Sequence, residues 1–389
     1  MQRTAIPERP DWQATARANG FTFHHVGGAK YWDESAYWRI GLSALEREIE
    51  DPTVELYAMC LALVDEVVRS EELMERMAIP PAMRDPIARS WFSGAPSLYG
   101  RFDFAYDGTG PAKLLEFNAD TPTSIYETAF FQWQWLEQNV ALGRLPAGAD
   151  QFNRLHEALI ERFARLFTPG SLVHFSSVAD HVEDRQTVLY LEDLASQAGL
   201  EARFVAIDAI GVNAGGQLID DRATLIGALF KLYPWEVLMR SAYADELARS
   251  STLFLEPMWK AVLSNKAILP LLWERHRGHR NLLPAAFEGT VEADAIAAGP
   301  HAVKPFFSRE GADIELFDGT RRTRGPAEGY GAEGRIVQAF APLAQSGGNH
   351  AVIGSWVVGD DAVAMSVRED SGPITRDLAR FVPHAIVGD

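Results

Sequence analysis

The sequence predicts a mixed α/β and α+β protein of two or three lobes, and three observations support this. Its 389 residues exceed what one hydrophobic core usually holds. Residues 172–176, 183–197 and 202–207 have the patterns of a strand, a helix and a second strand, a succession typical of a small parallel sheet. Two strand patterns near the C-terminus are joined at Gly359-Asp360-Asp361, which is typical of an antiparallel hairpin.

The first segment, residues 1–98, is expected to be a helical lead-in. Residues 45–76 alternate apolar and charged positions at helical spacing, and Pro80-Pro81 ends that pattern. The early aromatic residues are expected to pack in a core, and they are Tyr31, Trp32, Tyr37 and Trp38.

The second segment, residues 99–250, is expected to hold a hairpin followed by a small α/β region. A further strand is predicted at 225–232, and helices are predicted at 124–136, 151–167 and 235–249. The third segment, residues 251–389, begins with two helical patterns and continues into antiparallel strands. We place its boundary near Ser250.

Composition narrows the class of protein. The net charge of −17 argues against a nucleic-acid partner, whose phosphates would be repelled, and is compatible with a cationic amine substrate. The lone Cys60 lies in an apolar helical pattern, which favours a buried, inert thiol over a disulfide framework or a thiolate metal site. The first residues lack an apolar signal region, and no apolar run approaches the ~20 residues of a membrane span. A cytoplasmic location without a membrane partner is therefore expected.

Residues 99–124 carry the most informative pattern. Two strands are predicted, joined at the glycine-rich turn 107–110. Because side chains alternate between the faces of a strand, Phe102 and Phe104 share one face, and Leu115 and Phe117 form the apolar set of the return strand. The other face then presents a cation, two carboxylates and an amide, namely Arg101, Asp103, Glu116 and Asn118.

Two interpretations of this polar face remain open. In the first, Arg101 lies across from Glu116 as an ordinary cross-strand ion pair on a solvated hairpin. In the second, oxygen atoms of Asp103, Glu116 and Asn118 hold Mg²⁺, and Arg101 binds phosphate oxygens. The loop that follows could hold a polar substrate through Asp120, Thr121 and Ser124.

Other polar residues occur in unusual contexts. Lys304 interrupts the otherwise apolar strand pattern 302–307, so it requires an anion unless it snorkels to solvent. The acids of residues 180–184, including Glu183 and Asp184, lie at the predicted start of a helix. They are explained either by the preference of a helix N-terminus for negative charge or by binding of an amine substrate.

Two further motifs resemble ligand-binding motifs but are not expected to bind a ligand. Gly329-Tyr330-Gly331-Ala332-Glu333-Gly334 matches G-x-G-x-x-G but opens a strand pattern instead of a helix, so a mobile loop is favoured over a dinucleotide site. His276 and His279 have no further His or Cys cluster nearby, which favours a solvated basic loop over a zinc site.

Several stretches together resemble the synthetase domain of glutathionylspermidine synthase. They are residues 99–124, VLYLEDLASQAG (188–199), FKLYPWE (230–236), EPMWKAVLSNKAILPLLW (256–273), AVKP (302–305) and VRED (367–370). The resemblance follows the order of the family over nearly the whole chain. It implies an ATP-grasp fold with a preceding pre-ATP-grasp-like α/β region.

The resemblance also implies roles for individual residues. Lys266 and Lys304 match lysines that bind ATP phosphates, and Gly311 belongs to the loop that covers them. Gln338 begins the segment that lines the adenine, and Arg368 matches an arginine near the transferred phosphate. Arg368 could otherwise form a surface ion pair with a neighbouring acid.

The implied activity is that of an ATP-dependent carboxylate–amine ligase. With ATP and Mg²⁺ as cofactors, it would activate a small acid as an acyl-phosphate and join it to an amine, with a peptide and a polyamine as candidate substrates. Two alternatives are a kinase-like phosphotransferase and a non-catalytic nucleotide-binding module.

Overall fold

The computed structural model describes residues 1–26, 28–377 and 379–388. Short π-helical segments at Glu46–Glu50 and Glu127–Phe131 lead into longer helices, and a 3₁₀ turn spans Ile207–Ala209. The α-helices are α1 (Trp12–Ala18), α2 (Leu42–Leu45), α3 (Asp51–Val67), α4 (Glu71–Arg76), α5 (Pro81–Phe92), α6 (Gln132–Ala141), α7 (Leu155–Leu166), α8 (Val182–Gln197), α9 (Trp235–Leu238), α10 (Ala244–Arg249), α11 (Lys260–Leu263), α12 (Ile268–Arg275) and α13 (Val291–Ala297).

The strands form several separate sheets. They are β1 (Gln2–Ala5), β2 (His25–Val26), β3 (Ala29–Lys30), β4 (Ala36–Ile40), β5 (Tyr99–Ala105), β6 (Lys113–Asn118), β7 (Leu172–Ser176), β8 (Glu201–Phe204), β9 (Gly211–Val212), β10 (Leu218–Ile219), β11 (Ala228–Lys231), β12 (Leu253–Leu255), β13 (Ala285–Phe287), β14 (His301–Pro305), β15 (Glu315–Phe317), β16 (Arg322–Arg324), β17 (Arg335–Ala339), β18 (Ala344–Ser346), β19 (Asn349–Val358), β20 (Asp361–Asp370), β21 (Arg380–Phe381) and β22 (His384–Ile386).

The predicted hairpin is confirmed and lies within a six-stranded antiparallel sheet. The strand order is β21-β20-β19-β5-β6, with β18 also paired to β19. Most of the apolar face packs as predicted: the rings of Phe102 and Phe117 stack with centroids 3.9 Å apart, and Phe104 is fully buried. The expectation for Leu115 is wrong, because a β-bulge after Asp103 places Leu114 opposite Phe104, and Leu115 lines the cleft instead. The polar face of the hairpin points toward the cleft described below.

The predicted strand–helix–strand succession is also confirmed. Strands β8, β7, β11 and β12 form a parallel sheet, and α8 connects β7 to β8. The ends of β7 and β11 lie beside the cleft. The helix expected at residues 235–249 is instead divided into α9 and α10.

The first segment is not purely helical. Helices occupy most of residues 42–92, but β1 to β4 precede them, and β4 pairs with β1 and with the C-terminal strand β22. Residues 36–40 therefore pair with residues 2–5 on one side and with a strand at the opposite end of the chain on the other, and no local pattern reveals the second partner. Tyr31, Trp32 and Tyr37 pack in one core cluster beside this sheet, and Trp32 stacks on Phe381, whereas Trp38 is buried in a separate cluster.

The third segment contributes a five-stranded antiparallel sheet of order β13-β17-β14-β15-β16. It also contributes β18 to β21 to the sheet that contains the hairpin, so one sheet draws strands from both sides of the boundary expected near Ser250. The division at 98/99 and 250/251 stays a prediction. Among the described residues, no helix has the length and apolarity to cross a membrane. Cys60 is buried as expected.

Candidate active site

A cleft of about 410 Å³ lies where the hairpin, the parallel sheet and the five-stranded sheet meet. Its wall includes polar residues of β5 and β6, the segments after β7 and β11, and residues of β14 and β17. The predicted site residues in this wall are Arg101, Asp103, Glu116, Asn118, Asp120, Thr121, Glu183, Asp184, Lys266, Lys304, Gly311, Gln338 and Arg368. Residues far apart in the chain are therefore brought to one cavity.

Asp103 is the centre of the polar face. Its Oδ1 accepts a hydrogen bond from Arg101 Nε at 2.7 Å, and its Oδ2 accepts one from Arg368 Nη2 at 2.6 Å. Arg101 and Asp103 are almost completely buried, at 4% and 2% exposure. Arg368 thus faces the cleft and pairs with Asp103, not with its sequence neighbours Glu369 or Asp370.

The register of the hairpin corrects one expectation. Arg101 lies opposite Asn118, and Asp103 lies opposite Glu116, so Arg101 and Glu116 are not a directly opposed pair. The two carboxylates are cross-strand neighbours, and like charges in that arrangement repel. Cations from other elements offset this repulsion.

Two lysines supply part of that positive charge. Lys266 Nζ lies 3.2 Å from Glu116 Oε2 and donates to the Ser308 carbonyl at 2.7 Å. Lys304 points inward, as its apolar context predicts, and donates to the Leu115 carbonyl at 2.9 Å and to Gln338 Oε1 at 2.8 Å. Both ammonium groups thus lie beside the return strand of the hairpin.

Burial and charge together set the protonation of these groups. Burial raises the pKa of Glu116, but Lys266 and Lys304 outweigh it and hold that pKa at about 2. Burial lowers the pKa of Lys304 to about 8, against the opposing influence of Glu116. Burial, reinforced by Arg101, also lowers the pKa of Arg368. Near neutral pH the cleft therefore presents an ionised Glu116 beside a largely protonated Lys304.

The oxygen donors of the polar face suit a hard cation. Asn118 Nδ2 lies 3.0 Å from Asp103 Oδ2 and 3.4 Å from Glu116 Oε1, so the three side-chain heads meet at one place. Within the described parts of the chain, no group of three or more His, Cys, Asp or Glu residues could hold a metal. The two carboxylates supply oxygens of the kind that Mg²⁺ takes, together with phosphate oxygens and water. Asn118 turns its nitrogen toward them, so its oxygen would join such a site only with the amide group reversed.

Two residues of the loop after β6 make contacts that differ from their predicted role in binding a substrate. Asp120 reaches the cleft wall, but its oxygens accept from buried Lys231 Nζ at 2.7 Å and from the Trp235 amide at 2.8 Å. Ser124 is absent from the wall, and its hydroxyl lies 3.2 Å from that of Tyr31. These contacts suit holding the loop in place better than binding a substrate.

The side of the cleft around the start of α8 is acidic. Burial raises the pKa of Glu183 and of Asp184, and Asp377 adds to the effect at Glu183. Burial, with Asp377 and Glu183 nearby, raises the pKa of Glu310 to about 7. The cations and these acids thus occupy different parts of one cleft.

Sequence reasoning missed two cations: Arg309, which lines the cleft, and Lys231, which is buried behind the wall and holds Asp120. Arg309, next to Gly311 in the predicted phosphate-covering loop, donates to Thr121 Oγ1 at 2.7 Å and lies 3.3 Å from Glu236 Oε1. Lys231 is a lone lysine in an apolar strand, the same signal that singled out Lys304. No local signal distinguishes Arg309 from other surface arginines.

The glycine motif and the histidine pair do not line the cleft. The stretch Gly329–Gly334 lies outside the cleft wall and leads into strand β17, as its pattern indicated. His279 Nε2 lies 3.3 Å from Glu55 Oε1.

Comparison with known proteins agrees with this architecture. A solved structure, a glutathione synthetase-like effector from Globodera pallida, superposes with a TM-score of 0.50 at 9% identity and covers 86% of this chain and 88% of its own. That likeness concerns the fold alone. A Haemophilus influenzae protein named "Putative acid--amine ligase" is 36% identical over 397 residues, covering 99% of both chains.

Longer relatives match as well. Trypanothione synthetase of Crithidia fasciculata is 28% identical over 82% of this chain and 52% of its own length. The Escherichia coli "Bifunctional glutathionylspermidine synthetase/amidase" is 28% identical over 91% of this chain and 60% of its own length. The chain thus spans about half to three-fifths of these two relatives.

These relatives and the cleft define the class of protein as an ATP-dependent carbon–nitrogen ligase. A family model described as glutathionylspermidine synthase preATP-grasp matches residues 3–387, and the chain belongs to that family.

Proposed function

We propose that this protein has an ATP-grasp fold and joins a small carboxylic acid to a small amine through an acyl-phosphate. One observation carries the proposal: Arg101, Arg368, Lys266 and Lys304 converge from four elements on the carboxylates of Asp103 and Glu116. Positive charge thus exceeds negative charge at this place, although the whole chain carries a net charge of −17. Such a cation-rich site suits a triphosphate.

The nucleotide is assigned to the side of the cleft formed by β14 and β17. Lys266 and Lys304 bind phosphate oxygens, and Gly311 lies in the loop that covers them. Gln338 is held by Lys304 and by the Leu114 carbonyl, so its side chain orients Lys304. The backbone of residues 338–343 is assigned to the base, and most of these residues line the cleft. The apolar residues Leu343 and Val352 also line this part of the cleft.

Charge stabilisation at the transferred phosphoryl group is assigned to the two arginines. A carboxylate oxygen of the acid attacks the γ-phosphorus, and the bond to ADP breaks. Arg101 and Arg368 face the negative charge that spreads over the phosphoryl oxygens. Mg²⁺ held by Asp103, Glu116 and Asn118 would supply charge neutralisation between the β- and γ-phosphates.

The second step needs an amine nitrogen in its neutral form, held beside the acyl-phosphate. The nitrogen attacks the acyl carbon, inorganic phosphate leaves, and the nitrogen passes a proton to that phosphate or to water to give the amide. The carboxyl groups of Glu183 and Asp184 are assigned to the ammonium groups of a di- or polyamine that do not react. Arg309 and Thr121 are assigned to binding the acid. The names of the relatives make glutathione and spermidine the first pair to test.

The test is ADP release screened over candidate acids, each with and without polyamines, followed by mass detection of the conjugate. A new amide supports the proposal, a stable phosphate ester indicates a kinase-like phosphotransferase, and tight ATP binding without any turnover indicates a non-catalytic module. Asp103→Ala and Glu116→Ala are expected to lower Mg²⁺-dependent turnover by at least about 10²-fold, as loss of a charge-stabilising group does. Circular dichroism checks that each variant is folded, and unchanged turnover in both would refute the metal assignment.

A further inference from the structure

The glycine-rich stretch that does not bind a dinucleotide packs against the phosphate-covering loop. We call residues 308–313 the cover loop and residues 325–334 the outer loop. The cover loop lines the cleft through Ser308 to Gly311, whereas the outer loop does not reach the cleft wall.

Asp313 makes most of the contacts between the two loops. Its Oδ2 accepts hydrogen bonds from the amides of Tyr330 at 2.8 Å and Glu328 at 3.1 Å. Its own amide donates to the Pro326 carbonyl at 2.7 Å. Asp313 has a left-handed backbone with φ of 53°, which Asp tolerates better than most residues.

The loops also approach each other too closely for a side chain at Gly325. A Cβ added there would overlap the Gly311 carbonyl oxygen, and the Gly325 amide donates to the Ile314 carbonyl at 2.9 Å. The close packing of the two loops therefore requires glycine at position 325.

Both loops contact the same neighbouring segment. Arg309 of the cover loop lies 3.3 Å from Glu236, and Glu333 of the outer loop lies 3.6 Å from Arg240. Arg240 also covers the ring of Phe307, with its guanidinium carbon 5.0 Å from the centroid. The segment after β11 thus contacts both loops.

We propose that Asp313 is a positioning residue that joins the outer loop to the cover loop, so that the two open and close over the cleft as one lid. The presence of a nucleotide under this lid rests on the proposed function. The joining of the loops rests on their own contacts.

Amide hydrogen exchange of the intact protein tests the lid, using three variants. Asp313→Gly removes the carboxylate without straining a left-handed backbone. Asp313→Asn keeps a carbonyl acceptor and tolerates the same backbone. Asp318→Gly is the matched control, because the Asp318 carboxylate likewise accepts the amides of Thr320 and Arg321, but in the turn between β15 and β16.

Without nucleotide, Asp313→Gly is expected to raise exchange in both loops by roughly tenfold, the size expected when hydrogen bonds to a charged group are lost. Asp313→Asn is expected to stay close to wild type, and Asp318→Gly to change only its own turn. Faster exchange in the outer loop alone, or the same pattern in both glycine variants, would overturn the proposal.

A non-hydrolysable ATP analogue with Mg²⁺ gives the second readout. In the wild type it is expected to protect both loops, although only the cover loop lines the cleft, and in Asp313→Gly to protect the cover loop alone. Protection of only the cover loop in the wild type contradicts a single lid. If calorimetry shows no binding at all, the proposed function fails instead, and the exchange rates without nucleotide still decide the lid.

Discussion

Lys304 illustrates how burial adjusts the charge of a single residue. Only 7% of Lys304 is exposed, and its ammonium has two neutral acceptors, the Leu115 carbonyl and Gln338 Oε1. Burial lowers its pKa to about 8, and Glu116 limits the decrease. The residue is therefore cationic at neutral pH but loses its proton at moderately alkaline pH.

ATP affinity is accordingly expected to fall as pH rises through about 8. Phosphate oxygens attract the protonated form, so binding takes up a proton above this pKa and the affinity falls by up to about tenfold per pH unit. Calorimetric titration across this range measures the effect. Lys304→Arg keeps its charge and should flatten the profile, while equal slopes in both proteins would assign the dependence to another group.

At the scale of elements, β19 makes room for Arg101. Gly354 of β19 lies opposite Asp103 of β5 in the ladder. A Cβ at Gly354 would lie 2.8 Å from Arg101 Cδ and 2.5 Å from Ser366 Oγ. The stem of Arg101 can cross the sheet face toward Asp103 because this strand has no side chain there.

Gly354→Ala is therefore expected to displace Arg101 and to lower turnover by about 10²-fold, the cost that a misplacement of about 1 Å can carry. The measurement is kcat and KM for ADP release, with thermal unfolding to show that the fold remains. Gly148→Ala is the matched control, since an added Cβ there meets nothing within 4 Å. Wild-type turnover in Gly354→Ala would show that Arg101 adapts or is not needed.

At the scale of the whole molecule, the cleft joins elements from distant parts of the chain. The hairpin, the end of β11, α12 and β14 each contribute to its wall, so a ligand there contacts residues on both sides of the boundary expected near Ser250. A ligand that binds only the folded protein stabilises it by mass action.

Saturation with an ATP analogue and Mg²⁺ is expected to raise the unfolding temperature by several degrees, because a ligand at 100 times its Kd contributes about 2.7 kcal/mol. Differential scanning calorimetry measures the shift. Lys266→Met should reduce it, since one phosphate contact and the partner of Glu116 are lost together. An unchanged unfolding temperature at saturating analogue would count against a nucleotide site in this cleft.

Local sequence patterns determine several elements of this structure. The alternation of residues 99–124 predicts the hairpin and its polar face, and the strand–helix–strand patterns predict the parallel sheet. The apolar context of Lys304 predicts that its side chain points inward. Each of these depends on neighbours within a few positions, where backbone geometry links sequence to structure directly.

Only the tertiary structure decided which charges meet. The pairing of Asp103 with Arg368, of Asp120 with Lys231 and of Arg309 with Thr121 joins residues separated by more than 100 positions. The same holds for β4, whose partner β22 lies at the other end of the chain. Such partners follow from how whole sheets pack, because charge and burial act through space and leave no periodicity in the sequence.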